Sequence, residues 1–185
     1  MNKAKSPIRL SHLTVACLLQ LGIILSSNWA AAAEQQPDQK APVWQLKDVS
    51  GKTVKSTDFT GKVVILDFWA TWCPPCVQEI PGFIELQKKY GNNGLVVVGV
   101  SVDDLAPEKV KKFTEKRKVN YPVVMYSGKI IRDFGGVAAL PTTFVIDTKG
   151  RIVNKHVGFV SLKAFEKEIK PLLPKKQNQA PAHAL

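Results

Sequence analysis

Cys73-Pro74-Pro75-Cys76 carries the strongest chemical signal in this sequence. A two-residue spacer lets both sulfurs meet once the first turn of a helix forms. Cys73 then sits at the helix N-terminus, where unpaired backbone N–H groups favour a thiolate. Cys73 is thereby the candidate nucleophile: it attacks a partner's disulfide, forms a mixed disulfide, and is released when Cys76 attacks in turn. The two prolines fix φ and remove two N–H groups from that turn, which alters thiolate stabilisation and with it the reduction potential. The same spacing is also half of a zinc site. No second cysteine pair exists, however, and of the three histidines His12 lies near the start and His183 near the end, leaving His156 as the one candidate third ligand. Neither a metal nor a cofactor is expected.

The elements that must position the pair follow from local pattern. Lys62 to Trp69 is a short, nearly continuous apolar run after Gly61, the pattern of a strand buried on both faces. A helix opens at Cys73 to Cys76 and runs to Tyr90, with Val77, Ile80, Phe83, Ile84 and Leu86 at helical spacing, Pro81 inside it as a kink, and Gly91 as its cap. Leu95 to Val102 reads as a second buried strand. Pro107 opens a helix with Val110 and Phe113 inward, Tyr121 to Tyr126 forms a strand, and Lys129 to Phe134 a short helix. Thr142 to Asp147 and Ile152 to Val157 make a hairpin about Thr148-Lys149-Gly150, and Leu162 to Leu173 a closing helix. Upstream, Val43 to Leu46 and Lys52 to Lys55 flank the turn signal Asp48-Val49-Ser50-Gly51, as a β-hairpin does. Strands alternating with helices define an α/β sheet, and there is no internal repeat.

At 185 residues with 45% apolar content, the chain has room for one globular domain plus appendages. Residues 1–33 read as a secretory signal peptide or an uncleaved anchor: Lys3, Lys5 and Arg9 form a basic start, Leu13 to Leu25 is almost wholly apolar, and Ala30 to Ala33 supplies small residues for cleavage. An uncleaved leader would anchor the chain through residues 13–27, with the basic end in the cytoplasm. Cys17 lies in this segment with too little apolar sequence before it for lipid attachment. Residues 34–40 read as linker, 41–174 as the domain and 175–185 as a disordered tail. Net charge is +11, of which the leader carries three, leaving +8 on the remainder. Those basic residues are spread along amphipathic stretches with no aromatic-interleaved patch. That excludes a nucleic-acid site and implies a solvated basic surface or attraction to anionic lipid head groups. After removal of the leader only Cys73 and Cys76 remain. Outside the cytoplasm a cysteine pair is normally structural, yet a bridge closing so short a loop stabilises little, so chemistry is its better explanation.

Phe68-Trp69-Ala70-Thr71-Trp72-Cys73-Pro74-Pro75-Cys76, then Glu79 and Pro81, then Leu140-Pro141-Thr142-Thr143-Phe144-Val145-Ile146-Asp147, resembles the TlpA/ResA-type thioredoxin family across Val43 to Leu173. The resemblance implies a thioredoxin-like fold with an N-terminal β-hairpin and a βα insertion before the final hairpin. It implies a periplasmic, often inner-membrane-anchored reductase of protein disulfides, notably those of apocytochrome c, with electrons from a membrane thiol-transfer donor. A monomer is expected. Pro141 aligns with the family's cis-proline beside the disulfide, so Pro141, Leu140 and Trp72 are expected to contact an extended substrate. Asp67 aligns with a buried acid that accepts the proton of Cys76; burial in an apolar strand would raise its pKa. Glu79, three residues after Cys76 on the same helical face, aligns with an acid that tunes the thiols. Trp69 and Trp72 would shield the disulfide, and Gly158 would allow a bulge nearby. One departure stands out: Thr142 occupies the position after the cis-proline where one subgroup of cytochrome-maturation reductases carries an acid.

Two other classes share such a fold. A peroxiredoxin would want threonine three residues before its reactive cysteine, where this chain has Ala70. A copper-delivering module would use both thiolates and His156.

Overall fold

The computed structural model describes residues 39–175; the expected leader, residues 34–38 of the linker and residues 176–185 of the tail lie outside the described residues. Among the described residues, seven strands and four α-helices follow in the order β1 (Gln45–Lys47), β2 (Thr53–Lys55), β3 (Val63–Trp69), α1 (Pro74–Tyr90), β4 (Leu95–Ser101), α2 (Pro107–Lys116), β5 (Val123–Met125), α3 (Gly128–Asp133), β6 (Thr142–Ile146), β7 (Ile152–Val157) and α4 (Leu162–Ile169). β1 and β2 form the N-terminal hairpin, and the other five strands make one sheet in the order β5-β4-β3-β6-β7. β3 lies at its centre, parallel to β4 and antiparallel to β6. The β5–α3 unit precedes the β6–β7 hairpin, as the βα insertion requires. This is the thioredoxin-like α/β fold.

β3 and β4 are buried along their whole length because both faces of the sheet are covered. On one face Val63, Ile65, Val97 and Val145 pack against Phe83 and Leu86 of α1 and Phe165 and Ile169 of α4. On the other, Val64, Leu66, Phe68 and Val98 meet Trp44, Leu46 and Val54 from the hairpin region and Ile130 of α3. A third cluster at the C-terminal end of β3 gathers Trp69, Ala70, Cys73, Cys76, Ile80 and Val110. That end of the sheet holds the cysteine pair.

Several boundaries differ from the sequence expectations for identifiable reasons. β5 starts at Val123, not Tyr121, because Pro122 has no N–H to give and joins the ladder only through its carbonyl, which accepts from Gly99 N–H at 3.0 Å. α4 stops at Ile169, where Pro171 turns the chain into a short 3-10 segment, Lys170–Leu172. α1 does end at Tyr90 with Gly91 as its C-cap, as expected, but Gly91 keeps helical geometry, the chain tightens through Gly91–Asn93, and Gly94 at φ +87° makes the turn. The Gly94 carbonyl then accepts from Val63 N–H at 2.8 Å, which fixes the end of this helix against the start of β3. Val43 stays outside β1, 72% exposed. The bulge expected near Gly158 lies at the other end of the β6–β7 pair, between Val145 and Ile146. Phe113 turns inward as expected, its ring 5.7 Å from that of Trp69.

Candidate active site

β3 delivers the chain to the rim of the sheet, and the loop Ala70-Thr71-Trp72 hands it to α1. Cys73 is the N-cap of α1, Pro74 and Pro75 fill the first helical positions, and the Cys73 sulfur accepts from Cys76 N–H at 3.4 Å. Proline suits these positions because their N–H groups would have no partner inside the helix. Cys73 and Cys76 form a disulfide, S–S 2.09 Å with Cα atoms 5.3 Å apart. Both sulfurs are shielded, yet they differ in access. Cys73 lines a groove of about 550 Å³ with Trp72, Val102, Ile131, Val137 and Leu140, whereas Cys76, 1% exposed, lies behind it in the third cluster. An incoming sulfur meets Cys73 first.

The loop before the pair is held by a residue that the sequence pattern did not single out. Asp103, buried just after β4, accepts from Thr71 N–H at 3.0 Å and Thr71 Oγ1–H at 2.6 Å, and from Ser101 Oγ–H at 2.8 Å. Its carboxylate thus ties the chain just before Cys73 to the end of the neighbouring strand. Trp72 projects from this loop 67% exposed at the rim of the groove, while Trp69 is buried over Gly99. Pro141 follows a cis peptide bond from Leu140, and its carbonyl accepts from Gly158 N–H at 2.8 Å.

Two acids flank the cysteine pair in sequence. Asp67 is 3% exposed in the middle of β3, and Glu79 is 4% exposed on α1, so neither is a solvated surface carboxylate. Burial holds the Asp67 carboxyl well above the ordinary carboxylate range; the Glu79 charge pushes it higher, and the Thr143 hydroxyl, donating to Asp67 Oδ1 at 3.0 Å, pulls it back. Burial likewise raises Glu79 to about 7, opposed by Val160 N–H, which donates to Oε1 at 2.6 Å, and by His156. Glu79 Oε2 is buried with no hydrogen-bond partner, an arrangement that favours keeping a proton. Tyr121 senses the same charge: burial, Asp67 and Glu79 together raise its hydroxyl. Burial of Tyr121 beside the acids had no signal in the sequence. His156 is drawn toward Glu168, its Nε2 2.8 Å from Oε2, and among the described residues no group of three or more His, Cys, Asp and Glu could hold a metal ion.

A disulfide whose first sulfur lines a groove with the second behind it, together with buried acids within the fold, can exchange disulfides and move protons. Residues 37–155 match the sequence profile of the AhpC/TSA family. The thiol-disulfide oxidoreductase ResA of Bacillus thuringiensis (strain Al Hakam) is 34% identical over 157 residues, 83% of this chain and 89% of that protein. Among solved structures, the thiol:disulfide interchange protein of Chlorobium tepidum TLS is 35% identical with a TM-score of 0.69, covering 77% of this chain and 99% of that one. The exposed lipoprotein thioredoxin of Streptococcus pneumoniae strain TIGR4 is 32% identical with a TM-score of 0.63, covering 71% and 100%. The chain belongs to the thioredoxin-like AhpC/TSA family and, within it, to the thiol–disulfide oxidoreductases of the ResA type.

Proposed function

We propose that this oxidoreductase works outside the cytoplasm as a reductant of protein disulfides, with Cys73 as nucleophile and Cys76 as resolving thiol. One observation carries the direction. Among the described residues the Cys73 sulfur receives a single hydrogen bond, from Cys76 N–H, because Pro74 and Pro75 have removed the other donors of the first turn. A thiolate held by few donors is a poorly stabilised product of reduction, so the dithiol gives up its electrons readily.

The cycle follows from the access of each sulfur. Cys73 thiolate attacks a substrate sulfur presented along the groove, where Trp72 and Leu140 offer apolar contact, with Pro141 following the cis bond from Leu140. Cys76 then gives its proton to the buried acids Asp67 and Glu79, attacks Cys73 and releases the reduced substrate. Export rests on the leader-like residues 1–33 and on a relative that is an exposed lipoprotein. In this reading the protein is periplasmic and monomeric, held at the inner membrane when residues 13–27 are retained, and a membrane thiol-transfer protein restores the dithiol. Apocytochrome c is one substrate that fits, with Thr142 marking this chain off from the subgroup with an acid there.

Equilibration of the Cys73/Cys76 couple with glutathione tests the direction: the expected potential lies near the thioredoxin value of about −270 mV, and a value near the about −120 mV of a strong dithiol oxidant reverses the reading. Cys73→Ser should abolish reduction of insulin disulfides, and Cys76→Ser should trap the substrate on Cys73.

A further inference from the structure

The pairing of three strands sets a polar row across an otherwise apolar face of the sheet. Asp67 of β3 stands directly opposite Thr143 of β6, and Thr143 directly opposite His156 of β7. Residues so paired point to the same face, with Cβ atoms about 5 Å apart. Their neighbours on that face, Val63, Ile65 and Val145, are core residues under α1 and α4. Asp67 and Thr143 are already joined by a hydrogen bond. At the far end the His156 ring packs edge-on against Phe165, 5.3 Å between centroids, and Nε2 meets Glu168 Oε2 at 2.8 Å. Both side chains of that pair are 21% exposed, so the row that starts in the core ends at solvent.

Glu79 reaches the same row from above. It is bound by Val160 in the loop joining β7 to α4, only four residues beyond His156, and it interacts electrostatically with the imidazole. The charged groups facing His156 are Glu168 from α4 and Glu79 from α1, with Asp67 two strands away along the row. Lys155, the next residue of β7, lies on the opposite face over the Phe144 ring.

We propose that His156, braced by Glu168, is the outer station through which the proton taken from Cys76 by the buried acids leaves for solvent. His156 touches no reacting atom; it is a positioning residue for the proton, acting through Glu79 and Asp67. The inference rests on the thiol cycle proposed above. In the resolving step the Cys76 S–H bond breaks and its proton passes to a buried carboxylate. The Cys76 electron pair forms the bond to the Cys73 sulfur, and the bond from Cys73 to the substrate sulfur breaks, that sulfur leaving as a thiolate. The dithiol is oxidised and the substrate disulfide reduced. One proton is then left inside the fold, and imidazole with its carboxylate partner carries it out and returns to its starting state.

The test is the single-turnover rate at which Cys76 resolves a glutathione adduct on Cys73 of the full chain, followed by tryptophan fluorescence. His156→Ala should slow this step about tenfold at pH 7 in dilute buffer, and added imidazole should restore most of the rate. Glu168→Gln, which leaves the ring in place, should give a smaller loss with the same rescue, and thermal melting of the oxidised variants verifies that both fold. An unchanged rate, or a loss that imidazole does not relieve, overturns the path. A wild-type adduct that Cys76 fails to resolve sinks the thiol cycle itself, and the path with it.

Discussion

Replacing Glu79 by glutamine should change how stability depends on pH, and the structure fixes the sign. In the oxidised protein the two thiols do not titrate, so the buried acids dominate the region between pH 5 and 8. The Glu79 carboxyl is raised from 4.5 to about 7, so across that window the folded chain holds a proton the unfolded chain has released. Its contribution is therefore fully present below about pH 4.5 and is lost as pH rises through about 7. At about 1.4 kcal/mol per pKa unit, the contribution is at most about 3.5 kcal/mol, and less to the extent that water reaches the group.

Glutamine removes the titration and keeps an oxygen for Val160 N–H. Its NH₂ then takes the place of Oε2, which has no partner, at a penalty of about 1–2 kcal/mol. The variant should be the less stable protein near pH 5 and the equal or more stable one near pH 8, so the two stability curves cross. Removal of the Glu79 charge also relieves Asp67, whose carboxyl it helps to raise, and flattens the curve of the variant further. Urea denaturation of both oxidised proteins at half-unit steps from pH 5 to 8 measures this directly. Parallel curves would refute the assignment of Glu79 as a buried acid that titrates near neutral pH.

Three other substitutions separate roles around the pair. Trp72→Ala should leave stability within about 0.5 kcal/mol, because the ring is 67% exposed, while raising KM for a protein disulfide about fivefold, with a smaller effect on glutathione. Gly99→Ala puts a methyl 2.8 Å from Trp69 Nε1 inside the core and should cost about 1–3 kcal/mol in urea denaturation, with a Phe113 contact disturbed through the displaced indole. Asp103→Ala strands three donors from Thr71 and Ser101 and should cost about 3 kcal/mol and slow attack by Cys73; Asp103→Asn, which still accepts from Thr71, should recover most of both.

What the sequence made legible is what depends on near neighbours along the chain. The cysteine spacing, the prolines at the helix start and the apolar runs of β3 and β4 are local, and each could be read without knowing where the rest of the chain goes. The end of α1 at Tyr90 with Gly91 as its cap was legible as well, but the left-handed turn that follows it was not. Gly91 and Gly94 are equally able to turn a chain, and what selects Gly94 is its carbonyl accepting from Val63, an interaction made by a strand more than thirty residues upstream. Ser101 and Asp103 are near in sequence, but the tie from Asp103 to Thr71 spans 32 residues and had no pattern to announce it. The electrostatics of the site are wholly of this second kind. Asp67 could be suspected from the resemblance to a family with a buried acid there, but its link to Thr143 spans 76 residues and arises only from the register of β3 against β6. A one-residue slip of β7 would turn His156 to the face now held by Lys155 and replace the imidazole at the end of the row by an aliphatic amine or a valine. The sulfur chemistry is therefore written in adjacent residues, whereas the protonation that lets it turn over is a property of strand register, and register is what the alternation of apolar residues specifies most weakly when strands are buried on both sides.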